Sequence, residues 1–198
     1  MERLYTDLQN EFSTWISQLK NGDRMYVVEI DRKNASFINF NYTPTLERLY
    51  GINASDILYI HGRSMLGGNL IFGHNLTVDK FIERWAGDYS EEEQEMLIEA
   101  ADGLSIIYKD VNRIINKNTN YWESIKNIKK IHIWGLSISE IDMPYINHIR
   151  TIVNDNTEWE FSWYQPKDID RIKQIIKALQ IRNYNLITLK DMTCRSYK

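Results

Sequence analysis

The sequence predicts an α/β protein built on a largely parallel sheet flanked by helices, with a helical insertion and a small hairpin. Three observations lead there. Short apolar runs rich in Ile, Phe and Trp alternate with stretches of helical periodicity, and a strand-helix-strand-helix order implies parallel pairing with helices on the sheet faces. The 198 residues are 43% hydrophobic and 26% charged, which is ordinary globular usage and a length suited to one domain. With three prolines and no repeat, low-complexity tract or change of composition, the chain is read as a single domain, 1–198, with a helical insertion at about 79–127.

Each element has its own signal. Leu4, Leu8, Phe12, Trp15, Ile16 and Leu19 recur at helical spacing, and Asn21-Gly22 ends that helix. Phe37 to Asn41 reads as a buried strand. Thr43-Pro44 then opens a helix with Thr43 as cap and Pro44 in the first turn. Leu46, Leu49 and Tyr50 form its apolar stripe, and Gly51 stops it. Ile57 to Ile60 is the next strand, and Gly67-Gly68 turns a hairpin into Leu70-Ile71-Phe72. In the insertion, Ser90 with Glu93 makes a capping box. Met96, Leu97, Ala100, Leu104 and Ile107 follow helical periodicity there. Ile131 to Trp134 is a strand, followed by a helix lined by Ile141, Tyr145, Ile149 and Ile152. Trp159 to Trp163 is a strand with every second residue aromatic. Pro166 and Asp168 open a helix lined by Ile169, Ile172, Ile175, Ile176 and Leu179, and Leu186 to Leu189 is the last strand.

Composition excludes several classes. A net charge of -3 gives no strong nucleic-acid signal and no broad attraction to anionic membrane. Arg182, Lys190, Arg195 and Lys198 read as a solvated tail. The single cysteine, Cys194, allows no internal disulfide, which suits the cytoplasm. No apolar run reaches the roughly 20 residues that span a bilayer. His74, His132 and His148 show no metal-ligand spacing, so no metal is expected. The absence of G-x-S-x-G leaves a hydrolase triad unsupported.

Three polar clusters each follow a predicted strand: Asn41, Tyr42 and Thr43; then His61, Gly62 and Arg63; then Gly135 and Ser137, before a helix capped at Ser139 with Asp142. Ligands of open α/β sheets bind outside the carboxyl ends of the strands. The helix opening at Pro44 turns free N–H groups toward that edge, which favours an anionic group. His61 titrates near neutrality, as a general base should, and Gly62 permits a sharp turn close to a ligand. Simpler readings stand beside these. Asn41 satisfies a turn, His61 is a hydrogen-bonded structural histidine, Arg63 pairs with a surface carboxylate, and Asp142 completes a capping box.

The run FNYTPTLERLYG, then YIHGR and the short GNLIFG, and later IWGLSISEIDMPYINHI, resembles the C-terminal part of the AbiH-type phage abortive-infection proteins, from about Phe37 to Asp168. A more distant similarity is to the sirtuins and sirtuin-like defence NADases, whose fold is Rossmann-like. That similarity implies that Asn41 contacts the nicotinamide riboside region and His61 acts as base on a ribose hydroxyl. It also implies that Gly135 and Ser137 bind the adenosine side of the dinucleotide. The chain departs from these patterns at Thr43 and Leu136, and it has no G-x-G element. It therefore resembles a family member lacking its first section.

Two functions are expected from this reading. One is a phage-defence protein with a nucleotide-type crevice that binds or cleaves NAD, using His61 and Asn41, with NAD or a related nucleotide as substrate and no required cofactor. The other is a non-catalytic sensor or interaction module, as a homo-oligomer or with a defence-system partner. The aromatic strand or the segment from Ser90 to Asn127 would supply its surface.

Overall fold

The computed structural model describes residues 2–19, 28, 30, 33–64 and 70–193. The Asn21-Gly22 stop, the Gly67-Gly68 turn, Cys194, Arg195 and Lys198 lie outside the described residues.

The α/β reading holds, with two short parallel sheets where the sequence predicted one. Strand β1 (Phe37–Asn39) pairs in parallel with β2 (Ile57–Tyr59), and β3 (Lys130–Ile133), β4 (Glu158–Ser162) and β5 (Tyr184–Ile187) form the second sheet in that order. Between β2 and β3 lie α3 (Val78–Trp85), α4 (Glu91–Ser105), α5 (Val111–Lys117) and α6 (Thr119–Ser124). Helix α1 (Glu2–Gln18) precedes β1, and α2 (Thr45–Tyr50) links β1 toward β2. Helices α7 (Met143–Ile152) and α8 (Pro166–Ala178) cross over from β3 to β4 and from β4 to β5, and α9 (Leu189–Thr193) follows β5.

Parallel crossovers are right-handed in nearly all proteins. Two successive crossovers moving the same way across a sheet therefore put both helices on one face. That face is the core: Ile133, Trp159 and Phe161 cluster with Tyr145, Ile146 and Ile149 of α7 and Ile172, Ile175 and Ile176 of α8. The opposite face is polar. Lys130 lies opposite Glu158 in register, and Glu160 lies between His132 and Asn185. The alternation of aromatics along β4 thus has a topological cause. Ile60 belongs to the same cluster, with Ile38, Phe40 and Leu58 packed against it, so one core joins the two sheets.

Several local expectations change. Thr43 does not cap α2, which begins after Pro44 without a side-chain cap; the Thr43 hydroxyl meets that of Thr45 at 3.0 Å instead. At six residues, α2 is too short to project much dipole. No strand forms at Leu70 to Phe72. The periodicity of α1 and α4 is real but mostly unburied. Leu4, Leu8, Trp15 and Leu19 are exposed, and in α4 only Ala101 is buried. The Ser90–Glu93 capping box forms as predicted.

Candidate functional site

The first two polar clusters meet. Because β1 and β2 are parallel neighbours, their carboxyl ends lie side by side, and Ser64 N donates to the Tyr42 carbonyl at 2.7 Å. The loop after β1 is organised by Asn39, which is buried. Its Oδ1 accepts from Asn41 N at 2.8 Å, and its Nδ2 donates to the Thr43 carbonyl at 3.2 Å. The turn-satisfying role open to Asn41 thus belongs to Asn39, which leaves the Asn41 side chain exposed. The Tyr42 hydroxyl donates to the Ile71 carbonyl at 2.9 Å. Burial pushes its pKa up to about 12. Gly62 turns the chain after β2 at φ 88, a left-handed backbone that L side chains rarely adopt. Arg63 pairs with Glu47 at 2.8 Å and lies over the Tyr59 ring. The carboxylate partner read from the sequence is therefore real.

His61 is buried, at 4% exposure, with Phe40, Tyr42 and Tyr145 in ring contact around it. Its Nε2 meets the Lys109 ammonium at 2.8 Å. Lys109 is equally buried. Desolvation first, and the Lys109 charge second, lower the His61 pKa to about 3. Desolvation lowers Lys109 to about 8, while the negative charge of Asp142 opposes that fall. At neutral pH the pair is therefore a neutral imidazole accepting from an ammonium.

Lys109 arrives from within the insertion, between α4 and α5. Residue 74 bridges residue 108: His74 N donates to the Ile107 carbonyl, and Lys109 N to the His74 carbonyl at 2.6 Å. Gly73 makes that approach feasible, because a Cβ there, at φ 128, would collide with the Ile107 carbonyl oxygen. Gly73→Ala is expected to cost about 2 kcal/mol through a strained left-handed residue and a displaced bridge. Urea denaturation measures it, and a cost below about 0.5 kcal/mol would show that the bridge is slack.

The third cluster reaches this centre through residues further along its loop. Gly135 and Ser137 are exposed, and Gly135 N donates to Ser162 Oγ at 2.9 Å. Ile138, a buried β-branched residue, is held at φ 48. Such strain costs on the order of 1–3 kcal/mol and tends to mark sites whose surroundings force the geometry. The turn delivers Asp142 and Tyr145. Asp142 accepts from Ser139 N at 3.0 Å and Ser139 Oγ at 2.7 Å, so the predicted Ser139–Asp142 contact forms. Helix α7 begins only at Met143 and has no side-chain cap, so this pair closes the turn before the helix and is not the capping box read from the sequence. Asp142, 8% exposed, also acts electrostatically on Lys109 and Tyr145. Tyr145 is fully buried and lies 5.6 Å from the His61 ring, centre to centre.

A surface cleft of about 560 Å³ adjoins this loop, lined by Asn75, Leu76, Lys80, Arg84, Glu140, Met143 and others. That size suits a small-molecule ligand. Arg84 and Glu140 pair across it at 2.7 Å. Among the described residues no group of three His, Cys, Asp or Glu side chains is placed to hold a metal ion.

The family described as "Bacteriophage abortive infection AbiH" matches residues 1–163. The chain belongs to the AbiH family. Membership assigns it to bacteriophage abortive infection. Comparison with curated proteins and with solved structures gives no match. The AbiH match takes in all three polar clusters, Lys109, Asp142 and Tyr145. Lys109, Asn39 and Tyr145 are site residues that sequence reasoning missed, and Lys109 is the least expected of them. Its only signal was a Lys109-Asp110 pair between apolar Ile106-Ile107-Tyr108 and Val111.

Proposed function

We propose that this AbiH-family chain acts in abortive infection on a nucleotide-type small molecule, with NAD as candidate substrate and the His61–Lys109 pair as its reactive centre. The observation that carries the reading is that buried ionisable pair. It lies at the carboxyl end of parallel strands, where α/β folds bind ligands, and strongly shifted ionisable groups gather at functional sites. NAD follows from the order of the Asn, His-Gly and G-x-S motifs. Asn41, exposed beside Tyr42 and Thr43, positions the sugar, and the Gly62 backbone comes close to it. Gly135 and Ser137 take the adenosine side, and Arg63 reaches a phosphate by leaving Glu47. The reaction adds water across the N-glycosidic bond of NAD, releasing nicotinamide, ADP-ribose and a proton. No further cofactor is needed. Among the described residues no helix is long and apolar enough to cross a membrane, and the cytoplasm is the compartment where such a substrate is met.

Incubation with NAD should release nicotinamide, and His61→Ala should abolish that release while circular dichroism stays native. Unchanged cleavage in the variant would end this reading.

A second reading has its own observation. Helices α3 and α4 pack on each other yet expose Trp85, Met96 and Ile98 at 55%, 61% and 48%. A non-catalytic module would use that surface to meet a second copy or a defence partner. Calorimetry with NAD and ADP-ribose separates the two readings: binding favours the first, and silence together with oligomerisation in light scattering favours the second.

A further inference from the structure

Two atoms of the centre are buried and have no hydrogen-bond partner among the described residues: His61 Nδ1 and the Tyr145 hydroxyl. The Ile60 carbonyl acts on the His61 ring, but its geometry falls short of a hydrogen bond. A buried polar group left unpaired carries its full desolvation penalty, so natural cores rarely leave one, let alone two on neighbouring rings.

Their chemistry follows from Lys109. An ammonium has protons to give and no lone pair to accept with, so at 2.8 Å it donates to Nε2. A neutral imidazole that accepts at Nε2 carries its own proton on Nδ1. His61 Nδ1 is therefore a donor with no acceptor. The Tyr145 hydroxyl, whose pKa burial raises further, keeps its proton and is a second donor. The two rings touch at 5.6 Å and 60°, and Phe40 packs edge-on to both at 5.8 and 5.6 Å, closing the apolar side. The centre thus offers two donors, among aromatic rings, to an oxygen that none of the described residues places within hydrogen-bond geometry.

We propose that His61 and Tyr145 form a subsite for one uncharged oxygen acceptor of a bound small molecule, a hydroxyl or an amide carbonyl, with Lys109 fixing the His61 tautomer. Charge selects the class. The Lys109 cation and the Asp142 carboxylate offset one another, and a phosphate would bring further negative charge beside Asp142 at low dielectric. A hydroxyl or carbonyl meets no such penalty. The choice of ribose and nicotinamide as probes rests on the nucleotide reading above; the donor pair does not.

Two measurements test this. First, Tyr145→Phe removes one donor and little volume. With no ligand, its melting temperature should equal the wild-type value or exceed it. A fall of more than about 4 °C, the size of one net hydrogen bond in a chain of this length, shows the hydroxyl already satisfied in the free protein and overturns the subsite. Second, ribose, nicotinamide, ADP-ribose and inorganic phosphate are titrated into wild type and Tyr145→Phe by calorimetry and ligand-observed NMR. Ribose or nicotinamide should bind, with affinity about tenfold weaker in the variant, and phosphate should neither bind there nor compete. Binding of ribose or nicotinamide with silence from ADP-ribose keeps the subsite and removes the nucleotide reading. Binding that Tyr145→Phe leaves unchanged overturns the subsite and leaves the nucleotide reading standing. Silence from all the uncharged probes, or competition by phosphate, also overturns it.

Discussion

Acidification from pH 7 to pH 4 is expected to remove about 3 kcal/mol of folding stability through His61 alone. The folded pKa of His61 is lowered to about 3, against about 6.5 for the unfolded chain. Between those values the unfolded chain binds a proton that the folded chain refuses. Stability therefore falls as the pH drops below about 6.5, and levels out near the folded value. At 4% exposure, solvent screening does little to weaken the effect. The carboxylates Glu93, Glu158 and Asp168, whose pKa values are lowered by hydrogen bonds, lose stability in the same direction, so the total acid loss cannot be read as His61. The informative quantity is the difference between wild type and His61→Gln, which keeps a polar side chain of similar size but does not titrate. Urea denaturation at pH 7, 5.5 and 4 should show the wild type losing its advantage as the pH falls. A difference that stays constant over that range means His61 is not held neutral by its surroundings, and the donor assignment at Nδ1 goes with it.

What could be read beforehand and what could not have separate physical causes. Alternation of apolar residues reports which face of a strand is greasy. Trp159 and Phe161 are accordingly buried, where the sequence put them. Likewise the capping box at Ser90 and the crossover helix α8 are local, and they form as local signals say. Periodicity does not report whether an apolar face finds a partner, which is why the stripes of α1 and α4 were legible and their exposure was not. The split into two sheets depends on which strands meet across some seventy residues between β2 and β3, and nothing local encodes that. Asn39 and Asn41 illustrate the limit at a single site. Residues two apart in a strand share a face, so the choice of the buried one depended on where β1 ends. It ends at Asn39, and Asn41 passes into the exposed turn. Lys109 is the strongest case. A lysine is ordinarily solvated, and this one is buried because the His74 bridge, 35 residues upstream of it in sequence, fixes its backbone beside His61.

Replacing Glu160 with alanine is expected to destabilise the chain by about 3 kcal/mol. Glu160 sits at the centre of the polar sheet face and is 1% exposed. Its Oε1 accepts from His132 Nδ1 at 2.7 Å and from Trp134 Nε1 at 3.0 Å, and Lys130 stands 3.5 Å from Oε2. Removing the carboxylate leaves the imidazole and indole without that acceptor and opens space beneath them. Lys130 suffers less, because it keeps Glu158 at 2.8 Å. Glu160→Gln retains an oxygen for one donor but no negative charge, so it should cost roughly half as much, since hydrogen bonds to a charged group are about twice as strong as neutral ones. Urea denaturation of both variants measures the two losses. The consequence reaches the site, because Trp134 leads directly into the Gly135 turn that places Ile138 in its strained conformation and delivers Asp142 and Tyr145. A graded loss, alanine larger than glutamine, means this carboxylate anchors the end of β3 from below. Equal and small losses would mean that water already solvates that face, and that the strained turn is held by the core side of the sheet alone.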